Sequence, residues 1–426
     1  MLQKIKELYV DNRIWIQPIK FILISFMISI VTILIDTRVI PLHRYIPDVL
    51  LTSVDLAKEI LSTLSGALLT MTTFTFSTIM IVLTTYSSDF TPRVVENFLT
   101  DESTTKVLGV FVGGFFYCIT SLFFMRNSLS EYSIVAATIA IIYSVVCIFY
   151  FISFVYSVSS SIQVSKLINR LYKESSEVIK RTMKFREENE ILNEENIDIY
   201  KSKSDVYSQE NGYLEEIKFD TIKGHIDGMT CKIVIKESIG QFISKNQIIA
   251  TIYYNEKDIS TDWYEKITQC FVLEEERSVY GDYNFSIQKI TEIALRAISP
   301  GINDPNTAIH CIKILGVLTA KLSEVDGNEI CIVGKDPKSK IIYKDIDLKK
   351  DIYYIFYQLV HYGKEDISVV IALFEALDIV VRKTNFKNIN IVKEFAEYIF
   401  DITIGSFHSK IDIEILKEKN YKIQHM

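Results

Sequence analysis

The sequence has few residues of the kinds that build disulfide, metal and nucleotide motifs. Its six cysteines are scattered without a C-x-x-C pair, and no H-x-x-x-H, G-x-G-x-x-G or G-x-x-x-x-G-K-[ST] string occurs. Such strings mark redox, zinc, dinucleotide and P-loop sites. The sequence therefore predicts no metal, no cofactor and no disulfide framework, and we interpret the cysteines as small apolar residues in a reducing compartment.

Glycine, proline and basic charge are also scarce. With 15 Gly and 7 Pro in 426 residues, the chain is neither collagen-like nor of low complexity. Its 46 Lys and Arg are outnumbered by 53 Asp and Glu, which argues against a nucleic-acid partner. The mean hydropathy of +0.20 is high for a chain with 23 % charged residues, because the charges avoid the first third. This split predicts a membrane protein with a large soluble part.

Four long stretches with almost no charge predict four membrane-spanning helices, since a helix needs about 20 apolar residues to cross the bilayer core. The predicted spans cover about residues 16–35, 60–88, 107–125 and 132–164. The first span follows a basic flank, as a signal peptide does. It is followed only by DTRVIPLH, without a small-residue cleavage site, so we interpret it as a retained helix.

Lys and Arg residues next to the spans predict the orientation. Eleven of them lie before the first span, in the loop between the second and third, or after the fourth, whereas only four lie in the other two loops taken together. Basic residues concentrate on the cytoplasmic side. We therefore expect a multi-pass protein of the plasma membrane with both termini and the soluble part in the cytoplasm.

The second predicted span carries small and hydroxyl side chains at helical spacing on one face. We call this face the hydroxyl stripe, and its pore-lining candidates are Thr63, Gly66, Thr70, Thr73, Ser77 and Thr84, with Ser88 continuing it. Hydroxyl oxygens can replace part of the hydration shell of an ion in a water-filled path. The alternative is close packing between membrane helices. No charged residue lies within the span, which favours a passive path over a proton-coupled transporter.

The string DFTPR at Asp89–Arg93 follows this span. Thr91 and Pro92 predict an N-cap and the first position of a helix. Arg93 is a candidate for the pore mouth, where it would attract anions or lipid phosphates. The structural alternative is an ion pair with Asp89 or Glu96.

The chain divides into four predicted parts, and the fold class is an α-helical membrane protein with a cytoplasmic α+β region. Residues 1–165 form the transmembrane domain, and the charged, helix-patterned segment 166–200 forms a stalk. Short alternating runs with glycines predict a small β-barrel or barrel-sandwich-hybrid-like domain at 204–256. Residues 257–426 are predicted to form a helical domain.

The most distinctive soluble string is SPGINDP at Ser299–Pro305. Asp304 is predicted as the N-cap and Pro305 as the first residue of a helix, so the string forms a rigid corner between two helices. The motif residues that we single out are Arg296, Pro300, Gly301, Asn303, Asp304 and Pro305. On the basis of this string and the DFTPR string, the chain resembles a family of predicted bacterial membrane proteins of unknown function. The resemblance implies four spans and a cytoplasmic domain, and no mechanism.

The polar groups of this region do not form a recognisable catalytic constellation. The candidates weighed were Glu276, Arg277, Asp282, Arg296, Asn303 and Asp304. An enzyme needs a nucleophile beside a base, a metal cluster or a phosphate cradle. We interpret Arg296 and Asp304 as residues that stabilise the corner, with a small-ligand or partner site as the alternative.

Three classes of function remain. We predict a homo-oligomeric channel or conduit for ions or small solutes, in which the second span lines the path and the cytoplasmic domain gates it. The first alternative is a membrane-anchored sensor or scaffold that acts through its cytoplasmic domain, and the second is a membrane-tethered enzyme. The expected partners are the lipid bilayer, further copies of the chain and the permeant species, with no nucleic acid.

Overall fold

The computed structural model describes residues 13–90, 93, 102–125, 133–161, 163–191, 200–255, 261–279, 281–334 and 336–426. The chain separates into two units, Met1–Leu167 and Ile168–Met426, which we call the N-terminal and C-terminal units. The predicted division of the soluble part into stalk, β domain and helical domain stays a prediction.

The N-terminal unit contains four helices long and apolar enough to cross a membrane, as the charge-poor stretches predict. They are α1 (Arg13–Asp36), α2 (Val54–Thr85), α3 (Glu102–Phe124) and α4 (Ala136–Ser161). A π-helical turn at Tyr86–Phe90 extends α2. Many of their large apolar side chains are exposed on the protein surface, as expected of helices that face lipid.

Small residues and hydroxyls allow the spanning helices to approach closely. A Cβ added to Gly113 would collide with Ser25 Oγ of α1, and one added to Gly114 would lie 2.7 Å from the ring of Tyr143 in α4. Tyr143 Oη lies 2.6 Å from Ser25 Oγ and donates a hydrogen bond to the Val110 carbonyl at 3.0 Å. Three helices are thereby joined around one glycine pair in α3.

Asp36, at the end of α1, caps the start of α4. Its carboxylate accepts hydrogen bonds from the backbone N–H groups of Val135 at 2.8 Å and Ala136 at 3.2 Å. These donors have no partner within the helix, and an anion at a helix N-terminus is favourable. The contact ties the first loop to the beginning of the last span.

The C-terminal unit is a mixed α/β region with two open sheets, and the described strands close no barrel. The strands are β1 (Glu190–Ile191), β2 (Ser202–Tyr207), β3 (Gly212–Ile217), β4 (Cys231–Ile235), β5 (Phe242–Ile243), β6 (Ile248–Tyr254), β7 (Phe271–Glu274), β8 (Ile330–Val333) and β9 (Ser339–Tyr343). The larger sheet has the order β1-β8-β9-β4-β6-β2 and the smaller one β5-β3-β7. Only β4 and β9 pair in parallel; the other described pairs are antiparallel.

The sheets therefore extend beyond the segment 204–256 that alternation singles out. β4 pairs with β9 more than a hundred residues away, and β3 pairs with β7. Apolar side chains from these strands share one core, in which Ile233, Ile252 and Ile341 are fully buried. A strand buried by partners so distant in sequence gives little local signal of its own.

Nine helices of the described residues either lead into the C-terminal unit or belong to it. They are α5 (Val164–Glu187), α6 (Phe219–Ile226), α7 (Thr261–Thr268), α8 (Tyr283–Ala297), α9 (Pro305–Ser323), α10 (Leu348–Gly363), α11 (Ile367–Val381), α12 (Ile389–Thr403) and α13 (Lys410–Gln424). In the helix-patterned segment 166–200, helix α5 ends at Glu187. Asn189 Nδ2 donates to the Phe185 carbonyl at 2.7 Å there, and β1 follows.

Gly316 of α9 marks a close backbone contact between two helices of this unit. A Cβ at this position would lie 2.8 Å from the Cα of Ala376 in α11. We expect Gly316→Ala to lower the free energy of unfolding by about 1–3 kcal/mol, because backbone cannot move aside as a side chain can. Thermal or denaturant unfolding of the purified protein measures this effect.

Gly224→Ala is the matched control, since Gly224 lies within α6 and nothing lies within 4 Å of its added Cβ. Alanine there should stabilise the chain by about 0.5–1 kcal/mol. Equal effects of both substitutions would contradict the close contact between α9 and α11.

Candidate functional site

The structure places the hydroxyl stripe on the outside of the N-terminal unit. The side of α2 that packs within the unit carries Leu61, Leu68, Ile79 and Val82, all buried. At about 100° per residue, the stripe lies on the opposite side of the helix. All its members are exposed, namely Thr63, Gly66, Thr70, Thr73, Ser77, Thr84 and Ser88. A Cβ added to Gly66 would meet nothing within 4 Å. Packing among the described residues of one protomer therefore does not use the stripe.

The stripe threonines donate their hydroxyl protons back to their own helix. Thr70, Thr73 and Thr84 bond to carbonyls four residues earlier, at 2.9, 3.0 and 2.9 Å. This bond is common for hydroxyl residues in helices. With the proton engaged, each oxygen keeps lone pairs for an external donor or a cation.

Arg93 is exposed, and it is engaged in an interaction with its surroundings. The predicted N-cap at Thr91, the helix start at Pro92 and the possible partner Glu96 lie outside the described residues. The pore-mouth role of Arg93 stays a prediction.

The SPGINDP string forms the predicted corner between α8 and α9. Asp304 caps α9, as predicted, by accepting hydrogen bonds from Thr307 N at 3.1 Å and Thr307 Oγ1 at 2.6 Å, and Pro305 is the first helical residue. These bonds lower the pKa of Asp304. Asn303 adopts a left-handed backbone with φ 50°. Pro300, Gly301 and Asn303 are exposed, as is Arg296 on α8.

A cavity of about 760 Å³ lies elsewhere in the C-terminal unit, and we call it the α8–α10 cavity. Its walls come from α5, the start of α6, the β4–β5 loop, the segment before α8, α8 itself, the end of β9 and α10. Its size falls within the range of small-molecule sites, roughly 300–1,000 Å³. Of the polar residues weighed from sequence, Arg277 and Asp282 line it, whereas Arg296 and Asp304 do not.

Asp351 of α10 lies at the base of the cavity, only 3 % exposed. Tyr283 Oη donates to its Oδ2 at 2.8 Å, and Asn284 Nδ2 lies 3.4 Å from its Oδ1. Burial raises the pKa of Asp351 to about 6, and the two hydrogen bonds only partly offset this effect. The charge of Asp351 therefore changes close to neutral pH.

Asp282 connects the cavity wall to the start of α8. Its Oδ1 accepts from Phe285 N at 2.9 Å as the N-cap of the helix, and its Oδ2 accepts from Arg277 Nε at 2.6 Å. Burial raises the pKa of Asp282, although Arg277 acts in the opposite direction. Gly240 in the β4–β5 loop has φ +87°, and a Cβ there would overlap the Asp282 carboxylate. Glycine therefore allows the loop to pass directly over the ion pair.

Cationic and aromatic side chains surround the cavity. The cations are Arg181, Lys236, Arg277, Lys344 and Lys350, and the aromatic rings are those of Phe185, Phe219, Tyr283, Tyr343, Tyr354 and Tyr357. Arg277 is paired with Asp282, and Lys344 with Asp347 at 2.7 Å. Within the described part of the chain, neither Lys236 nor Lys350 has a carboxylate within 4 Å.

Metal chemistry has no support from the described residues, among which no group of three or more His, Cys, Asp or Glu side chains could hold a metal ion. The acidic side chains of the cavity are instead engaged by Arg, Lys, Tyr and backbone donors.

Comparison with known proteins agrees with a membrane protein. Residues 11–378 match the family described as Predicted membrane protein (DUF2254). The chain belongs to this family. The family resemblance deduced from the SPGINDP and DFTPR strings is thus confirmed at the level of the family, whose description names no activity.

Curated relatives come from mycobacteria. Uncharacterized proteins of Mycobacterium tuberculosis strains H37Rv and CDC 1551 and of Mycobacterium bovis are each 21 % identical to this chain over 273 residues. The match covers 63 % of this chain and 52 % of each relative, so the chain spans about half the length of the relatives it matches. No solved structure matches this DUF2254 chain.

Proposed function

We propose that this multi-pass membrane protein is a homo-oligomeric conduit for ions or small solutes, lined by the hydroxyl stripe of α2. The observation that carries the proposal is the position of the stripe, exposed and opposite the side of α2 that packs within the protomer. Copies arranged around a closed symmetry axis would bring their stripes together.

The chemistry of the stripe supports a passive path. Back-bonded hydroxyls present oxygen lone pairs, which can take over part of the hydration shell of a cation. From Ile60 to Ser88 the helix carries no charged residue, so the proposed path has no group for proton coupling. The basic flanks support a cytoplasmic position of the C-terminal unit, where it would regulate the path.

Flux through liposomes tests the proposal with substitutions in the stripe. We expect Thr70→Leu with Thr73→Leu to reduce K⁺ flux at least about tenfold, because Leu removes two oxygens and narrows the path. Thr78→Leu with Thr85→Leu is the matched control. Both control threonines are back-bonded in the same way, at 2.9 and 3.0 Å, but lie off the stripe. The control should conduct within about twofold of the natural protein.

Potassium and chloride are measured separately, with a fluorescent probe for each ion inside the liposomes. Unchanged K⁺ and Cl⁻ flux in the stripe variant would refute the conduit, as would the absence of any flux from the natural protein. A loss of flux that is equal in the stripe variant and the control would also refute it.

A second candidate function is a membrane-anchored sensor, and the α8–α10 cavity is the observation that favours it. A cavity of about 760 Å³ with cations and aromatic rings is a site for a soluble ligand. In this function the spans anchor and assemble the protein without transport. Ligand binding at the cavity combined with no measurable flux would favour the sensor over the conduit.

A further inference from the structure

We propose that the α8–α10 cavity binds a soluble nucleoside phosphate, with its phosphate groups toward Lys236 and Lys350 and the base against Tyr354 and Tyr357. The proposal is independent of transport, because the ligand would occupy the C-terminal unit whether or not α2 lines a path. Nothing in the family description assigns a ligand.

Two lysines supply the binding site for the phosphate. Lys236 of the β4–β5 loop and Lys350 of α10 are exposed side chains that line the same cavity. No described carboxylate lies within ion-pair distance of either one, whereas Lys344 and Arg277 in the same wall are neutralised by Asp347 and Asp282. A phosphate monoester carries between one and two negative charges and three acceptor oxygens at neutral pH, so its charge is complementary to that of the two lysines.

The aromatic residues of α10 supply the platform for a base. Tyr354 is 57 % exposed although it lines the cavity, and its ring centroid lies 6.3 Å from that of Tyr357. Tyr357 in turn stacks on Tyr353 with centroids 4.9 Å apart. Lys350 Nζ lies 5.9 Å from the Tyr354 ring, so charge and ring lie side by side. Any of the nucleic-acid bases can stack on such rings.

The size and composition of the cavity select this class of ligand. Inorganic phosphate would leave most of the 760 Å³ empty, and a purely apolar ligand would leave the two lysines without partners. Half-buried amide side chains that line the cavity, Asn284, Gln288 and Gln358, offer hydrogen bonds to sugar hydroxyls.

Isothermal titration of the full-length protein in nanodiscs tests the proposal. The probes are AMP, ADP, ATP and GTP, with inorganic phosphate and adenosine as fragments. At least one nucleotide should bind about tenfold or more tighter than either fragment, since both parts of the site contribute. Lys236→Ala and Lys350→Ala should each weaken that binding about tenfold, and Tyr354→Ala by a similar factor.

Lys349→Ala is the matched control. Lys349 is the neighbour of Lys350 on α10, but it pairs with Glu394 at 2.9 Å and does not line the cavity. Its replacement should leave nucleotide affinity unchanged. A melting temperature equal to that of the natural protein shows that the Lys236 and Lys350 variants fold. Failure of every nucleotide to bind at millimolar concentration overturns the proposal. Phosphate alone binding as tightly as a nucleotide, or full affinity without both lysines, overturns it equally.

Discussion

Replacement of Arg186 by Met is expected to lower the free energy of unfolding by about 3–5 kcal/mol at neutral pH. Arg186 lies near the end of α5, with its side chain 2 % exposed. It binds Asp345 at 2.5 Å, Asp326 at 2.8 Å and the Asn328 carbonyl at 2.7 Å. Without the guanidinium, Asp345 would be a buried charge with no counter-ion. Burial already raises the pKa of Asp345, and the loss of Arg186 would raise it further.

Two control variants separate charge burial from loss of packing. In Arg186→Met with Asp345→Asn, the uncompensated charge is absent, so we expect about half or more of the lost stability to return. Arg382→Met removes an arginine whose side chain is 55 % exposed and paired with Asp378 at 2.9 Å, and should cost at most about 1 kcal/mol. Denaturant unfolding measures all three variants. A loss for Arg186→Met no larger than that for Arg382→Met would contradict the buried network.

Asp351→Asn is expected to raise the free energy of unfolding by about 2–3 kcal/mol at pH 8 and to change it little at pH 4. The folded state holds the pKa of Asp351 at about 6, mainly through burial, against about 4 in the unfolded chain. Between about pH 4 and pH 6, the carboxyl of Asp351 is ionised in the unfolded chain but still protonated in the folded protein. The contribution of Asp351 to the free energy of unfolding is therefore most favourable below pH 4, and it falls as the pH rises through about 6. Asn cannot ionise and still accepts the Tyr283 hydroxyl proton.

Thermal unfolding between pH 4 and pH 8 measures this difference. Burial also raises the pKa of Asp282 and Asp345, so the variant keeps part of the pH dependence. Asp347→Asn is the control of opposite sign. Burial acts to raise the pKa of Asp347, but the ion pair with Lys344 outweighs it and the pKa is lowered. That variant should lose stability at pH 8. If both variants changed the stability at pH 8 in the same direction, the environment assigned to Asp351 would be contradicted.

The features predicted correctly from sequence are those with a local physical cause. A charge-poor run of about 20 residues identifies a membrane span without knowledge of its neighbours. Asp304 followed by Pro305 is enough to position the start of α9, because an N-cap acts within one helical turn. The family resemblance also depends on contiguous strings, and the match over residues 11–378 confirms it.

The features missed depend on residues brought together from distant segments. Strands β8 and β9 are short apolar runs within a segment predicted to be helical, and such runs fit either structure. The α8–α10 cavity takes its lining from positions as far apart as Arg181 and Gln358. Two signals were available locally, the N-caps Asp282 and Asp347, which place the starts of α8 and α10 in its wall.

The central proposal is that copies of α2 meet around a conducting axis, and imaging of purified particles in nanodiscs tests it most directly. We expect a symmetric ring in which Thr70, Thr73 and Ser77 of every copy face a central opening. A monomer, or an assembly in which these side chains face lipid or are sealed between helices, would contradict it.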